Sequence, residues 1–278
     1  MTSAAPEAPQ PVSVRARSVW RYGTAFGRHA MAVAITDLVK LRRDPTEMFT
    51  RAVQPLLWLL VFGQVFTKTR AIPTGSLTYV EFMAPGVLAQ SVLFAAIFYG
   101  IAVIWERDLG IVHKLLVAPA SRASLVAGKA IAAGVRGWAQ GVIVFVIALV
   151  IGVHVRLEPL SILGVCAAVF LGSALFATFS LVVACIVKTR ERFMGIGQLL
   201  TMPLFFASNA IYPMTMMPAW LGVIARANPL TYLVDVLRTL MVIGAVSTTG
   251  ISRDFAVLGI GVVLLIAVAA RLYPGLAR

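Results

Sequence analysis

Charge is what this chain has least of. Only 13% of its 278 residues are Asp, Glu, Lys or Arg, and 60% are hydrophobic, whereas soluble domains carry about 25% charged residues. The composition therefore predicts an integral membrane protein. Acidic residues are the scarcest, 11 against 24 Lys and Arg, so the net charge is +13. Such a balance can indicate nucleic-acid binding, but Lys and Arg beside membrane spans also set orientation, and we expect that role and no nucleic-acid partner.

Side chains that carry out covalent or metal chemistry are also rare. Cys166 and Cys185 fall in one predicted helix, about 28 Å apart at 1.5 Å per residue, which is too far for a disulfide. The histidines His29, His113 and His154 lack metal-ligand spacing. The chain also has no G-x-x-x-x-G-K-[ST] phosphate loop. We therefore predict no catalytic residue, metal site or cofactor in this chain.

The hydrophobic runs contain essentially no ionisable side chains, and the two halves of the chain show no repeat. Both features count against a proton-coupled carrier, which needs a titrating carboxylate and is often built from similar halves. A stand-alone carrier or channel stays open as an alternative of another class, and a membrane-embedded enzyme comes last. The polar residues within the runs are amides, which join helices or line a polar route: Gln54, Gln64, Gln90, Gln140, Gln198 and Asn209.

The longest uncharged stretch runs from Phe193 to Ala225 and is longer than one membrane span but too short for two. Proline bends or ends helices, and in lipid every freed backbone group needs a protein partner. The prolines in and after the stretch are Pro203, Pro213, Pro218 and Pro229. We predict one span at 193–211 followed by a re-entrant segment at 212–246. An ordinary interfacial loop is the alternative.

The whole pattern predicts an all-α integral membrane protein. Residues 1–19 read as a disordered cytoplasmic tail and 20–44 as an amphipathic helix on the membrane surface. The six predicted transmembrane helices cover 49–66, 82–105, 131–153, 159–187, 193–211 and 255–272. Most Lys and Arg fall on the side that holds both termini, the segment 106–129 and the link 188–192. This bias predicts that both termini are cytoplasmic and that the re-entrant helical hairpin faces outwards.

Three stretches resemble a known family. They are Leu38 to Gly63 (LVKLRRDPTEMFTRAVQPLLWLLVFG), Trp105 to Lys129 (WERDLGIVHKLLVAPASRASLVAGK) and Pro203 to Arg238 (PLFFASNAIYPMTMMPAWLGVIARANPLTYLVDVLR). In these stretches the chain resembles the permeases of type-2 ATP-binding-cassette (ABC) exporters, which include drug-exporter and Nod-factor-exporter permeases. It departs from the family pattern where Ile111 replaces Thr, His113 replaces Glu and Asn209 replaces Gly.

The resemblance implies that residues 45–278 form a type-2 ABC transmembrane domain. Segment 106–129 would carry a coupling helix that docks, together with the N-terminal helix, onto a cytoplasmic ATPase. Two permease halves, from a homodimer or a paralogous pair, would assemble with two ATPase subunits, and ATP and Mg would bind to those subunits. The implied ATPase-coupling residues are Glu106, Arg107, Asp108, Gly110, Arg190, Glu191 and Arg192.

The same resemblance places a substrate path between the permease halves, along spans one, two and five. The candidate path residues are Gln54, Gln90, Gln198, Asn209, Phe205 and Tyr212. The candidate outer-gate residues are Pro213, Pro218, Asn228, Pro229, Asp235 and Arg238. Asp235 and Arg238 lie one helical turn apart, so we expect them to form an ion pair.

The function expected from these features is ATP-driven export from a bacterial plasma membrane. The substrate would be an amphipathic drug, lipid or glycolipid, taken from the cytoplasm or the inner leaflet and moved by the energy of a separate ATPase subunit. A permease for lipid-linked polysaccharide or teichoic acid is the alternative within the class. A wide pore lined by aromatic rings would favour sugar chains, and a greasy lateral opening would favour lipids and drugs.

Overall fold

The structure is a computed structural model that describes residues 14–43, 53, 55, 57–69, 72–117, 120–187 and 189–277. The described residues are mostly helical, as predicted, and their β-type pairing is an isolated bridge between Val155 and Val242. The α-helices are α1 (Val14–Arg43), α2 (Gln64–Thr69), α3 (Tyr79–Asp108), α4 (Ile111–Val117), α5 (Arg122–Val150), α6 (Pro159–Ile186), α7 (Arg190–Phe206), α8 (Ala219–Ala227), α9 (Pro229–Met241) and α10 (Ile251–Leu272). A π-helix (Trp58–Gly63) leads into α2, and 3-10 turns cover Met214–Met216 and Tyr273–Ala277.

Four helices of the described chain are long and apolar enough to cross a membrane, namely α3, α5, α6 and α10 with its extension to Leu276. They contain or closely match the predicted spans 82–105, 131–153, 159–187 and 255–272. Helix α7 has 17 residues and is therefore about 25 Å long, short of a core about 30 Å thick. It is short because the chain turns at Ala207 instead of continuing to residue 211. Six of the 18 residues of the predicted span 49–66 lie outside the described residues, and the count of six spans stays a prediction.

Small residues let α3, α5 and α6 approach one another closely at the centre of the bundle. The Ser180 hydroxyl of α6 donates to the Ile97 carbonyl at 2.7 Å and accepts from the Gly100 amide at 3.2 Å, both on α3. On α5, a Cβ added at Gly137 would lie 1.8 Å from the Ser173 hydroxyl of α6. Helices in lipid gain stability from such close packing and from interhelical hydrogen bonds, so α6 forms the centre of the bundle.

Side-chain caps determine where several helices begin. Thr78 and Glu81 form a capping box at the start of α3, with the Thr78 amide donating to the Glu81 carboxylate at 2.8 Å. Ser121 caps α5 by accepting from the Ser124 amide at 3.1 Å, and Thr189 caps α7 in the same way. These caps satisfy amides that have no partner within the helix.

Helix α1 packs along the first half of α5. Ala30 and Ala34 are buried, and a Cβ on Gly128 would lie 2.4 Å from the Ala30 carbonyl oxygen. Phe26, Met31 and Ile35 are exposed on other faces of the helix. The helix begins at Val14 instead of Trp20 and ends at Arg43, so it is longer at its start than the predicted surface helix.

Two ends of the bundle carry the predicted sites. We name the basic end as the one where α3 ends, α4 lies, and α5 and α7 begin. The opposite end holds the start of α3, the turn after α7, α8 and the connection between α9 and α10. There the connection between α5 and α6 pairs with the end of α9, since the Arg156 amide donates to the Met241 carbonyl at 2.8 Å.

Candidate functional site

A cluster of four buried side chains and the partly buried Arg136 lies at the basic end, and we call it the buried junction: Asp37, Tyr99, Glu106, Lys129 and Arg136. The Lys129 Nζ lies 2.6 Å from Glu106 Oε2 and 3.7 Å from Asp37 Oδ2, and its side chain is 2% exposed. Tyr99 donates its hydroxyl to Asp37, and Arg136 Nη2 donates to the Asp37 carbonyl at 3.1 Å. The junction therefore connects α1, α3 and α5.

The formal charges of the buried junction balance. The Lys129 ammonium lies near both carboxylates, and the Arg136 guanidinium donates to the backbone carbonyl of Asp37. Both cations also lie 5.6 Å from the centre of the Tyr99 ring. Removing charges from water costs on the order of several kcal/mol per ion, and this cost is offset only by close pairing and further hydrogen bonds. The three helices are therefore held in one relative position, because sliding one of them would separate buried charges.

Glu106, a predicted coupling residue, is 8% exposed and faces Lys129 inside the bundle. Lys129 belongs to the predicted hydrophilic segment 106–129, but it lies near the start of α5 and is 2% exposed. The coupling role of Glu106 stays a prediction, and its side chain contacts the buried junction and not solvent.

A cavity of about 180 Å³ lies directly beside the junction. Asp37, Glu106 and Lys129 line one part of it, and Ile111 and Leu115 of α4 line another. The short helix α4 therefore faces the junction across this cavity.

An exposed cluster lies next to the junction at the basic end. Asp108 Oδ1 is 2.8 Å from Arg107 Nη2, and Asp108 Oδ2 is 3.0 Å from Arg190 Nε. The Arg190 guanidinium also lies 3.6 Å from the centre of the exposed Trp105 ring. Two segments that the sequence analysis treated as separate coupling contacts are therefore joined, since Asp108 ends α3 and Arg190 begins α7. Glu191 and Arg192 follow on the exposed surface.

Gly110 makes the reversal between α3 and α4 possible. Its φ is +71°, a conformation that side chains with a Cβ rarely adopt. Its amide donates to the Arg107 carbonyl at 2.9 Å, which satisfies one free carbonyl at the end of α3. Gly110, a predicted coupling residue, therefore forms the turn that places α4 at the basic end.

The expected ion pair between Asp235 and Arg238 is wrong. Arg238 Nε donates to the Phe82 carbonyl at 3.2 Å, Nη2 donates to the Asn209 carbonyl at 2.7 Å, and the guanidinium lies 3.8 Å from the Phe82 ring centre. The start of α3 and the turn after α7 present these carbonyls to the buried guanidinium. The guanidinium donates hydrogen bonds to them instead of pairing with the Asp235 carboxylate.

Asp235 instead holds the connection that leads from α9 to α10. Its carboxylate accepts hydrogen bonds from Ser247, Thr248 and Thr249, the shortest at 2.6 Å. Burial alone would raise the pKa of this carboxyl, but the hydrogen bonds from Ser247 and Thr248 bring the pKa below its ordinary value. The carboxylate therefore remains charged and fixes the loop before α10.

Asn228 joins the turn after α7 to the start of α9. Its Oδ1 accepts from the Leu230 amide at 3.0 Å, and its Nδ2 donates to the carbonyls of Leu204 at 2.6 Å and Ala207 at 3.1 Å. One side chain thus caps α9 and satisfies carbonyls at the end of α7.

The prolines predicted to belong to the outer gate lie where helices or turns begin. Pro213 precedes the 3-10 turn, Pro218 precedes α8, and Pro229 is the first residue of α9. Proline fits such positions, because its missing amide proton has no helical partner there.

The predicted path residues do not share one surface within the chain. Gln198 is exposed on α7, whereas Gln90 and Asn209 are each 2% exposed. Phe205 is 1% exposed, and Tyr212 donates its hydroxyl to the Phe206 carbonyl. Gln54 lies outside the described residues. The substrate path itself stays a prediction.

The sequence did not lead us to predict Asp37 and Tyr99 as members of the junction. Asp37 is the single acidic residue of α1, a helix otherwise rich in basic residues, and this feature could have indicated that it has a specific partner. No local pattern in the sequence indicates the role of Tyr99, because its partner Asp37 lies 62 positions away in the chain.

Comparison with known proteins agrees with these features. The family model described as "ABC-2 type transporter" matches residues 29–242. The putative transport permease ycf38 of Cyanophora paradoxa is 31% identical over 205 residues, covering 73% of this chain and 70% of that protein. The daunorubicin resistance ABC transporter permease protein DrrB1 of Streptomyces coeruleorubidus is 23% identical over 240 residues, 84% of each chain. Nodulation protein J of Rhizobium leguminosarum bv. trifolii is 26% identical over 190 residues, covering 68% and 71%. The chain therefore belongs to the ABC-2 type transporter family and is a transport permease with transmembrane helices.

Proposed function

We propose that this chain is the membrane-spanning subunit of an ATP-driven exporter that moves an amphipathic drug, lipid or glycolipid out of the cytoplasm or the inner leaflet. Permeases of the ABC-2 family are transport subunits and normally work with an ATPase subunit. The chain would act as one of two permease halves, with a second copy or a paralogue, and two ATPase subunits would bind ATP and Mg.

The buried junction is the observation that carries this proposal. An ATPase that moves during its cycle needs a stiff connection to the membrane helices, and the ion pair of Glu106 with Lys129 supplies one at 2.6 Å. Helix α4 faces the junction across the small cavity and follows α3 directly in the chain, and α1 is joined to the junction through Asp37. A push on α4 would therefore move α1, α3 and α5 together.

The docking surface for the ATPase would consist of α4 and the exposed cluster. Arg107, Asp108 and Arg190 present charge at this surface, and Asp108 connects the end of α3 to the start of α7. Because α7 leads to the turn held by Arg238, a displacement at the basic end would be transmitted along α7 to the opposite end.

A row of aromatic rings that runs from the π-helix into α2 supports an amphipathic substrate. Trp58 and Phe62 stack with ring centres 4.5 Å apart, and Phe66 follows 6.3 Å from Phe62. Phe62 is 42% exposed, so the row offers an aromatic surface to a partner permease or to substrate. Relatives described by daunorubicin resistance and by nodulation agree with export of such molecules. Aromatic rings also stack on sugars, so a lipid-linked polysaccharide or teichoic acid is the second substrate class that we propose to test.

The proposed arrangement in the membrane has six spans, an interfacial α1, cytoplasmic termini, and a re-entrant hairpin of α8 and α9 that enters from the outer face of a bacterial plasma membrane. The exposed apolar residues Trp220, Val223 and Ile224 of α8 suit a lipid environment. Single cysteines at residues 214–227, introduced after Cys166→Ala and Cys185→Ala, should react with an impermeant maleimide only from outside intact cells. Reaction only in inverted vesicles would contradict this orientation.

ATP-dependent transport is the test of the proposed function. Inside-out vesicles that contain the chain and its ATPase subunit should accumulate a fluorescent anthracycline when ATP is added, and vesicles with either subunit alone should not. A lipid-linked oligosaccharide tested in parallel distinguishes the substrate classes. Equal accumulation without ATP, or without the ATPase subunit, would instead support a stand-alone carrier or channel.

A further inference from the structure

The opposite end contains a cavity of about 570 Å³. It lies between the start of α3, the turn after α7, α9 and the loop before α10, where Phe82, Asn209, Thr231 and Thr248 are among its lining residues. Sites for small molecules usually have about 300–1,000 Å³. The cavity is therefore large enough for a lipid head group.

The charged side chains of the lining are mostly cationic. The ionisable groups of the lining are Arg226, Tyr232, Asp235, Arg238 and Arg253. The single carboxylate, Asp235, already accepts hydrogen bonds from the loop before α10. Arg238 is 6% exposed and its guanidinium is held by two neutral carbonyls and the Phe82 ring. The lining thus carries a net positive charge, and guanidinium groups bind phosphate oxygens with paired hydrogen bonds.

Two residues that line this cavity each carry a buried polar atom with no hydrogen-bond partner within the described part of the chain. These atoms are Asn209 Oδ1 and Thr231 Oγ1, on residues that are 2% and 1% exposed. Buried polar atoms in native proteins nearly always have a partner. An acceptor such as Asn209 Oδ1 calls for a donor from a ligand, and hydroxyl groups both donate and accept.

We propose that this cavity binds the phosphate-ester head group of a polyol, such as a glycerol phosphate or a sugar phosphate. The guanidinium groups of Arg226, Arg238 and Arg253 hold the phosphate. Asn209 and Thr231 bind the hydroxyls. A role for this cavity in export rests on the proposed function. Binding of the head group does not, because it is measured without nucleotide or ATPase.

The test is isothermal titration of the purified full-length chain in a neutral detergent at low salt. The ligands are glycerol 1-phosphate, dihexanoyl phosphatidylglycerol and dihexanoyl phosphatidylcholine. Saturable binding of either phosphoglycerol compound above the phosphatidylcholine level is the expected result. Tighter binding of phosphatidylglycerol than of glycerol 1-phosphate identifies a lipid as the source of the head group, and equal binding identifies the free phosphate ester. No saturable binding, or equal affinity for phosphatidylcholine, overturns the proposal.

Variants of the exposed rim separate the site from the surface charge. Arg226→Gln and Arg253→Gln should each weaken phosphoglycerol binding about tenfold, the low end expected for hydrogen bonds between charged groups. Arg156→Gln is the matched control, since Arg156 lies at the same end but does not line the cavity. Equal losses in all three variants, or none in Arg226→Gln and Arg253→Gln, contradict the assignment. If the unmodified chain binds the phosphoglycerol compounds but shows no ATP-driven transport with its ATPase subunit, the proposed function is contradicted and the proposed binding site is not.

Discussion

Lys129 and Glu106 form a buried ion pair that joins the start of α5 to the end of α3, with 2.6 Å between Nζ and Oε2. Asp37 of α1 lies 3.7 Å from the same ammonium. One cation therefore serves two carboxylates on two other helices. This arrangement converts a hydrophilic segment between two apolar helices into a rigid junction.

Loss of the cation should cost more than loss of one carboxylate. Lys129→Met leaves Asp37 and Glu106 without their shared cation, and breaking a buried pair costs about 3–5 kcal/mol. In Glu106→Gln the ammonium keeps Asp37, so the destabilisation should be about half as large. Thermal unfolding in detergent, followed by size-exclusion fluorescence, measures both. A larger loss in Glu106→Gln than in Lys129→Met would contradict the geometry of the junction.

Asp108→Asn should weaken ATPase binding and leave the fold intact. Its ion pairs are solvent-exposed, and exposed pairs contribute about 0–1 kcal/mol to stability. The change nevertheless separates α3 from α7 at the proposed docking surface. Affinity for the ATPase subunit, measured by biolayer interferometry, should fall several-fold, whereas the control Glu158→Gln at the opposite end should bind normally. Unchanged affinity of Asp108→Asn would exclude this cluster from docking.

Gly86→Ala should disturb the turn that follows α7. A Cβ at Gly86 would lie 2.5 Å from the Ala210 carbonyl oxygen and 2.9 Å from its Cα, so backbone has to move. Gly259→Ala is the control, because that Cβ meets nothing within 4 Å and alanine favours a helix by about 1 kcal/mol over glycine. We expect a lower melting temperature for Gly86→Ala and an unchanged or higher one for Gly259→Ala. The reverse order would argue against this close contact.

The two functions of Asn228 can be separated by substitution. Asn228→Ala removes the cap of α9, which is worth about 1 kcal/mol, and also the donor to Leu204 and Ala207. Asn228→Asp keeps an acceptor for the Leu230 amide but places a carboxylate beside two carbonyl oxygens. Both variants should unfold at lower temperature, with Asn228→Asp no more stable than Asn228→Ala. Full rescue of stability by Asp would show that capping alone matters.

Local signals in the sequence predicted the helical class and the starts of several elements. Pro218 and Pro229 stand where α8 and α9 begin, because proline and capping residues act through the backbone beside them. The ion pair of Glu106 with Lys129 was not predicted, since it depends on how α3 and α5 pack across 23 positions of the chain. The i, i+3 spacing of Asp235 and Arg238 predicted an ion pair that does not form, for the same reason. A carbonyl of the turn after α7 binds Arg238, and a hydroxyl of the loop before α10 binds Asp235.

The ratio of substrate transported to ATP hydrolysed tests the central claim most directly. In vesicles that contain the chain and its ATPase subunit, Glu106→Gln should lower this ratio several-fold while ATP hydrolysis continues, because the push on α4 no longer moves α3 and α5 together. Glu158→Gln, which removes an exposed carboxylate at the opposite end, should keep the ratio of the unmodified chain. A ratio for Glu106→Gln equal to that of the unmodified chain, in protein shown to be folded, would contradict the proposed coupling through the buried junction.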